Sequence, residues 1–170
     1  MKVINLFGGP GSGKSTTAAG TFFKMKSTEK FGKVELVTEF AKDMVYAGRL
    51  RELKGNQLYI TVKQYHRMER LRGQVDYIIT DSPIVQSIIY TPTNYFKSFE
   101  PLLLELHNSF DNINIILNRT KEYKEYGRTQ TEEEARKLDF SIRRFFNANK
   151  IIHSVVDGNK DAPEVILNML

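Results

Sequence analysis

The sequence predicts an α/β protein of three layers, a five-stranded parallel sheet with helices on both faces. Three observations carry that expectation. Short apolar runs rich in Val, Ile and Leu recur at 3–7, 33–38, 75–80, 112–117 and 151–156, the composition of strands buried on both faces. Stretches of helical periodicity separate them, and strict alternation of strand and helix is the pattern of a parallel sheet with crossover helices. Between the first run and the first helix lies Gly8-Gly9-Pro10-Gly11-Ser12-Gly13-Lys14-Ser15, which meets the pattern G-x-x-x-x-G-K-[ST] at every required position and in the strand-loop-helix context it needs.

A length of 170 residues fits one domain spanning 1–170, long enough to bury a proper core. Val3 to Phe7 is too short for the apolar region of a signal peptide, and no apolar run approaches bilayer thickness, so a soluble, cytoplasmic protein without membrane contacts is expected. Cysteine is absent and the three histidines are scattered, which excludes disulfides and thiolate metal sites and offers no histidine cluster. The net charge of +5 is unevenly spread. Between 42 and 72 stand Lys42, Arg49, Arg51, Lys54, Lys63, Arg67, Arg70 and Arg72 against Asp43, Glu52 and Glu69, so this segment alone carries the whole excess. An anionic partner beyond the loop's own ligand is expected there.

The loop explains its own composition. Glycine lets the backbone take positive φ, and the N–H groups of Gly8, Gly9, Gly11, Ser12 and Gly13 can then converge on a polyphosphate at the positive end of the following helix. Lys14 should reach the β- and γ-phosphates, Ser15 should offer its hydroxyl to Mg²⁺, and Thr16 should touch the α-phosphate. The helix that follows is expected over 14–28, with Ala18, Phe22 and Met25 inward.

The second strand ends on Thr38-Glu39. If the chain turns helical there, Glu39 and Asp43 share one face near the carboxyl end of a strand, where open α/β sheets bind ligands. Acids are also common in first turns, so Glu39 equally fits a plain helix start. The longest helical pattern covers 53–73 from about Gly55-Asn56, with Leu58, Val62, Tyr65, Met68 and Leu71 or close neighbours inward. Lys63, Arg67 and Arg70 share another face, either a solvated surface or a track for nucleic-acid phosphates, and Gln64 and Tyr65 have the chemistry to read and stack on a base.

The third strand ends in Asp81-Ser82-Pro83. An acid after four largely apolar residues is the usual partner of the phosphate loop and orients Mg²⁺ directly or through water. The segment 90–96, with Tyr95, is a polar and aromatic loop suited to stacking on an acceptor base or to packing on the body. A helix over 100–109 follows, with Pro101 in its first turn and Leu102, Leu103 and Leu106 inward. The fourth strand runs into Asn118-Arg119 and a basic, tyrosine-bearing segment over 119–131, expected as a lid in which Arg119 and Arg128 offset phosphate charge. Thr131 and Glu134 then form the capping-box pattern of a new helix, whose Glu132/Arg136, Glu133/Lys137 and Asp139/Arg143 spacings favour i,i+4 pairs. After the fifth strand, Asp157-Gly158 leads to a short final helix from Asp161. Asn159-Lys160-Asp161 departs from the guanine-reading N-K-x-D by one residue, so no GTPase is inferred.

Taken together, the loop, the acid after strand two, Asp81, the arginine-bearing segment and the terminal V-D-G turn resemble the nucleoside and nucleotide kinase group of P-loop proteins over nearly the whole chain. That resemblance implies a three-layer P-loop kinase fold with strand order 2-3-1-4-5, ATP and Mg²⁺ as donor and cofactor, and catalytic work by Lys14, Glu39, Asp81, Arg119 and Arg128. Thr38-Glu39-Phe40-Ala41-Lys42-Asp43 and Thr80-Asp81-Ser82-Pro83 look most like small phage-encoded kinases, among them those that phosphorylate 5-hydroxymethyluracil in phage DNA. Ordinary thymidylate kinases carry an Asp-Arg pair where this chain has Asp81-Ser82. The implied acceptor is a hydroxymethylated base in DNA, with a free deoxynucleoside or deoxynucleotide as the alternative and Asp43, Gln64, Arg67 and Tyr95 as candidate acceptor contacts. Either Glu39 or Asp81 would take the acceptor's proton. A non-catalytic ATP-binding switch is the remaining class; it finds no D-x-x-G after the third strand.

Overall fold

The computed structural model describes residues 1–124 and 130–170. Strands β1 (Lys2–Phe7), β2 (Val34–Val37), β3 (Tyr77–Thr80), β4 (Asp111–Asn118) and β5 (Ser154–Asp157) form one sheet in the order β2-β3-β1-β4-β5. All four pairings are parallel, so the loop after β1 opens at the carboxyl edge between the two strands that flank it. This is the P-loop kinase fold with the expected strand order.

Side chains of β1 alternate between two cores. Ile4 and Leu6 join Ala18 and Met25 of α1 (Lys14–Lys26) and Ala162 and Ile166 of α7 (Ala162–Leu167). Val3 and Phe7 face the other way, toward Met68 of α4 (Gln57–Glu69), Leu103 of α5 (Phe99–Asn108), and Ile142 and Phe146 of α6 (Glu132–Ala148). The Phe7 and Phe146 rings meet edge to face at 4.6 Å. Each such side chain, fully buried, contributes roughly 1.5–3 kcal/mol, which fixes β1 and therefore the start of the loop. Among these apolar residues Asn5 sits 1 % exposed, its amide donating to Asn112 Oδ1 (2.8 Å) and Asn114 Oδ1 (3.2 Å) across the β1–β4 seam.

Several elements depart from the sequence pattern. The helical region after β2 is three pieces, α2 (Phe40–Tyr46), α3 (Leu50–Gly55) and α4, with Asn56 capping α4 by accepting from the Tyr59 N–H. The inward face of α4 is Gln57, Ile60, Thr61, Gln64 and Met68, whereas Leu58 and Val62 are exposed. Of the expected inward residues Met68 is buried and Tyr65 and Leu71 pack against the core, while polar side chains take the buried positions that the pattern gives to Leu58 and Val62. In α5 the buried residues are Phe99, Leu103 and His107, and Leu102 faces solvent. Residues Ile84–Tyr90 form 3-10 turns directly after β3. The capping box of α6 is present, with both Thr131–Glu134 bonds made.

Candidate active site

The loop closes on itself before it meets any other element. Gly8, Gly11 and Gly13 hold φ of 152°, 78° and 97°, a region that side-chain-bearing residues avoid. Gly13 caps α1 in the left-handed conformation, and its carbonyl accepts the first helical bond from the Thr17 N–H (2.9 Å). The Lys14 ammonium donates to the carbonyls of Gly8 (2.6 Å) and Gly9 (3.2 Å), while Ser15 and Thr16 are exposed on the first turn of α1. Gly158, after β5, packs its backbone against the Ser12 carbonyl from below.

Around Lys14 the sheet edge gathers charge. Burial pushes the Lys14 ammonium below the ordinary lysine value, and the carboxylates of Glu39, Asp81 and Asp139 oppose that shift. Burial likewise lifts the Glu39 carboxyl above the usual carboxylate range, against the pull of Lys14. Glu39 stands at the N-cap position of α2 without a capping hydrogen bond, so its carboxyl is not spent on the helix. Asp81 is 4 % exposed, and its Oδ1 has no hydrogen-bond partner among the described residues. Lys14, Glu39, Asp81 and Arg119 thus interact at one edge of the sheet, as their positions after β1, β2, β3 and β4 require.

Arg119 is 5 % exposed and bonded to Asp139 through Nε (3.1 Å) and Nη2 (2.9 Å). Asp139 in turn accepts from the Gly9 N–H (2.6 Å). The expected Asp139/Arg143 pair is not made, because Arg143 donates to Asn118 Oδ1 instead. Arg128 lies outside the described residues. An open pocket of ≈ 490 Å³ beside Arg119 is lined by Tyr123, Glu132 and Arg136.

The acceptor-side candidates divide. Gln64 is 2 % exposed and braces two elements, accepting from the Phe40 N–H (3.0 Å) and donating to Thr80 Oγ1 (3.3 Å), so its amide links α4 to α2 and β3. Tyr95 packs on the body, one of the two roles open to its loop. Its hydroxyl accepts from the Leu58 N–H (3.0 Å) and its ring packs at 4.9 Å from both Phe96 and Phe99, against the body. Asp43 and Arg67 meet each other in an ion pair, and Arg67 also donates to the Thr38 carbonyl (3.2 Å). Both line a pocket of ≈ 450 Å³ with His66 and Arg70 beside the edge strand β2.

Within the 42–72 segment the three acids are all taken: Arg49 pairs with Glu52, Arg67 with Asp43, and Arg72 with Glu69. Lys42, Arg51, Lys54, Lys63 and Arg70 make no ion pair among the described residues. Lys42 lies over the ring of Tyr46 and Lys63 over that of Tyr59, at 6.0 and 5.6 Å from the centroids. The structure also brings in residues that the motifs do not name. Gln86 is buried and donates to the Gly8 carbonyl (3.4 Å), and Tyr90 beside it has its hydroxyl pKa raised by burial and by the nearby Glu39. The position of Gln86 one turn past Pro83 is its only signal in the sequence.

The buried orphan atoms fit a phosphate ligand and its metal. Ser12 Oγ, Asp81 Oδ1 and Arg119 Nη1 all lack partners among the described residues and belong to the loop or to elements around it. A Cβ on Gly9 would stand 2.6 Å from the Ala135 carbonyl oxygen, a backbone clash, and one on Gly11 would press on Arg119 Nη1 at 3.0 Å from a backbone whose positive φ already strains any side chain.

Among solved structures the chain is similar to deoxyadenosine kinase from M. mycoides, a structure with the products dCMP and a flexible dCDP bound, at a TM-score of 0.62 and 21 % identity over 99 % of this chain and 97 % of that one. It is also similar to shikimate kinase from Aquifex aeolicus vf5, at a TM-score of 0.53 and 17 % identity over 99 % and 94 % of the two chains. At these identities the likeness is one of fold. No curated protein matches the chain. A family model described as AAA domain covers residues 3–161, from β1 and its phosphate loop to the turn before α7, and the chain belongs to that family.

Proposed function

We propose that the chain is a P-loop kinase, passing the γ-phosphate of ATP to a hydroxyl acceptor. The observation that carries this reading is the convergence of Lys14, Glu39, Asp81 and Arg119 on one loop, each from the carboxyl end of a different strand. Phosphoryl transfer asks the protein mainly for positioning and charge stabilisation, and those four groups supply both. Ser15 and Asp81 are the residues that would hold Mg²⁺, which when bound neutralises charge on the phosphates. Lys14 and Arg119 offset charge on the transferred group, with Arg128 as a further candidate. The acceptor oxygen bonds to the γ-phosphorus while the bond from that phosphorus to the bridging oxygen breaks and ADP leaves. Glu39 takes the acceptor's proton. Burial makes the Glu39 carboxylate a stronger base than an ordinary one, whereas Asp81, deeper and beside the loop, suits the metal.

The preferred acceptor is the 5-hydroxymethyl group of 5-hydroxymethyl-deoxyuridine in phage DNA. Support comes from Lys42, Arg51, Lys54, Lys63 and Arg70, which make no ion pair among the described residues, and from the placement of Lys42 and Lys63 over tyrosine rings, a mix of charge and aromatic surface suited to a nucleic-acid strand. The target base would have to leave the stack to be reached. A free deoxynucleoside or its monophosphate is the second reading, favoured by the likeness to a deoxyadenosine kinase. Offering γ-labelled ATP in parallel to free deoxynucleosides and monophosphates, plain duplex DNA and 5-hydroxymethyluracil DNA separates them. Label on the modified DNA alone, lost in Lys14→Ala, is the expected result. Label on free acceptors alone overturns the DNA reading, and no label anywhere overturns the kinase.

A further inference from the structure

Asp139 stands beside the phosphate loop with no part in the transfer chemistry just described. Its place in the middle of α6 has no local reason, since Arg143, four residues on, turns to Asn118. Both carboxylate oxygens are instead spent on distant groups. Oδ2 accepts from Arg119 Nε and Nη2, and Oδ1 accepts from the N–H of Gly9, which is 130 residues away in sequence. Two charge-assisted donors of one guanidinium thus converge on a single carboxylate oxygen, which fixes the plane of the guanidinium while the other oxygen holds the loop amide.

Of the five N–H donors of Arg119, those that remain are both of Nη1 and the second of Nη2, and Nη1 is the nitrogen wholly without a partner among the described residues. That nitrogen is buried and lies 3.0 Å from the point where Gly11 would carry a Cβ. The guanidinium therefore lies along the loop from Gly9 to Gly11, with the ring of Tyr123 5.6 Å from its centre. The Lys14 ammonium is bonded on the same limb, at Gly8 and Gly9. An unspent Arg donor and the loop lysine thus share the end of the loop at which Lys14 meets the outer phosphates. The carboxylate itself cannot serve a phosphate, since it offers only negative acceptors.

We propose that Asp139 is a positioning residue: by holding two nitrogens of Arg119 and the amide of Gly9 on one carboxylate, it aims Arg119 Nη1 at the terminal phosphate of the nucleotide on the loop. The bare Cα atoms of Gly9 and Gly11 then serve a second purpose, the first making room for the Asp139 carboxylate and the second for the arginine. This inference rests on the reading of the loop as an ATP site, and its test is chosen to fail separately from that reading.

Calorimetric titrations with Mg·ADP and with a non-hydrolysable Mg·ATP analogue are run on the wild type, Asp139→Asn, Arg119→Lys and the double variant, with a thermal melt of each. Each single substitution is expected to weaken the ATP analogue by about tenfold or more and ADP by less than about threefold, and the double variant should be no weaker than the worse single, because both remove one aimed donor. A merely structural role would lower both affinities and the melting temperature together. Equal losses for the two nucleotides, additive losses, or an Asp139→Asn protein with wild-type analogue affinity overturn the proposal. Arg119→Lys keeps a cation opposite Asp139, so it decides the matter if Asp139→Asn fails to fold: wild-type analogue affinity there is equally fatal. A wild-type protein that binds neither nucleotide overturns the ATP-site reading and this inference with it, whereas binding by the wild type with no selective loss in the variants overturns this inference alone.

Discussion

Replacing Gly158 by alanine should damage the phosphate site from outside its motif. A Cβ at this position would lie 2.2 Å from the Ser12 carbonyl oxygen and 2.9 Å from that of Asn118, where ordinary contact begins at 3.4 Å. Both neighbours are backbone atoms and cannot swing aside as a side chain can. The turn after β5 and the loop must therefore separate by about 1 Å, a displacement that costs on the order of 10²-fold in rate at a reacting centre. Overpacking of this kind costs about 1–3 kcal/mol, which for a chain of this size is a fall of roughly 2–12 °C in melting temperature. Calorimetry with Mg·ADP should show at least a tenfold weaker site, about 1.4 kcal/mol. Gly55→Ala is the control, since nothing lies within 4 Å of its Cβ and it ends a helix, so its affinity should stay at the wild-type value. Wild-type nucleotide affinity and stability in Gly158→Ala would refute the reasoning.

Three further outcomes are expected. The pH profile of kcat/KM should be bell-shaped: activity needs Glu39 as carboxylate and falls as pH drops through its burial-raised value, so the acid limb lies above the usual carboxylate range, and Glu39→Gln should remove that limb and most of the rate. On the basic side the limb should lie below the ordinary lysine value, because burial makes Lys14 give up its proton early. Burial pushes the His107 imidazole down to about 4 from an ordinary 6.5, so its contribution to stability is complete above the unfolded value and is lost as pH falls through that interval, by about 2–3 kcal/mol near pH 4.5; urea unfolding of His107→Gln should show that much less acid sensitivity than the wild type, and an unchanged slope would count against it. Thr131→Ala removes the acceptor for the Glu134 N–H at the start of α6 and should cost about 1 kcal/mol in the same assay, with a loss below 0.3 kcal/mol (roughly the effect of a poor cap) counting against the box.

What the sequence revealed and what it hid follow from the range of the interactions involved. The strand order is a consequence of the P-loop kinase group that the motifs resemble, and the loop, Asp81 and the capping box are each specified by a few adjacent residues. The face of α4 was hidden because its buried positions include Gln57, Thr61 and Gln64, whose partners lie elsewhere: Gln64 is satisfied by Phe40 and Thr80. Tyr95 was ambiguous between base and body because both offer an aromatic contact, and it is Phe96, Phe99 and the Leu58 amide that claim it. Asp139 was misread for the opposite reason. It had a plausible partner four residues along its own helix, and nothing local reports that its real partners are Arg119 and the loop amide.

The closure of Gly158 on Ser12 also bears on how the protein comes into being. During synthesis the eight residues of the motif emerge well before Gly158, yet the contact that backs them waits for β4, α6 and β5 to be made and docked. A nascent chain therefore carries the complete signature long before it carries the site, and nucleotide should be unable to act as an early folding template. Capture of the ligand instead becomes a report that the whole sheet has assembled, which makes nucleotide affinity on stalled chains of increasing length a direct clock for its completion.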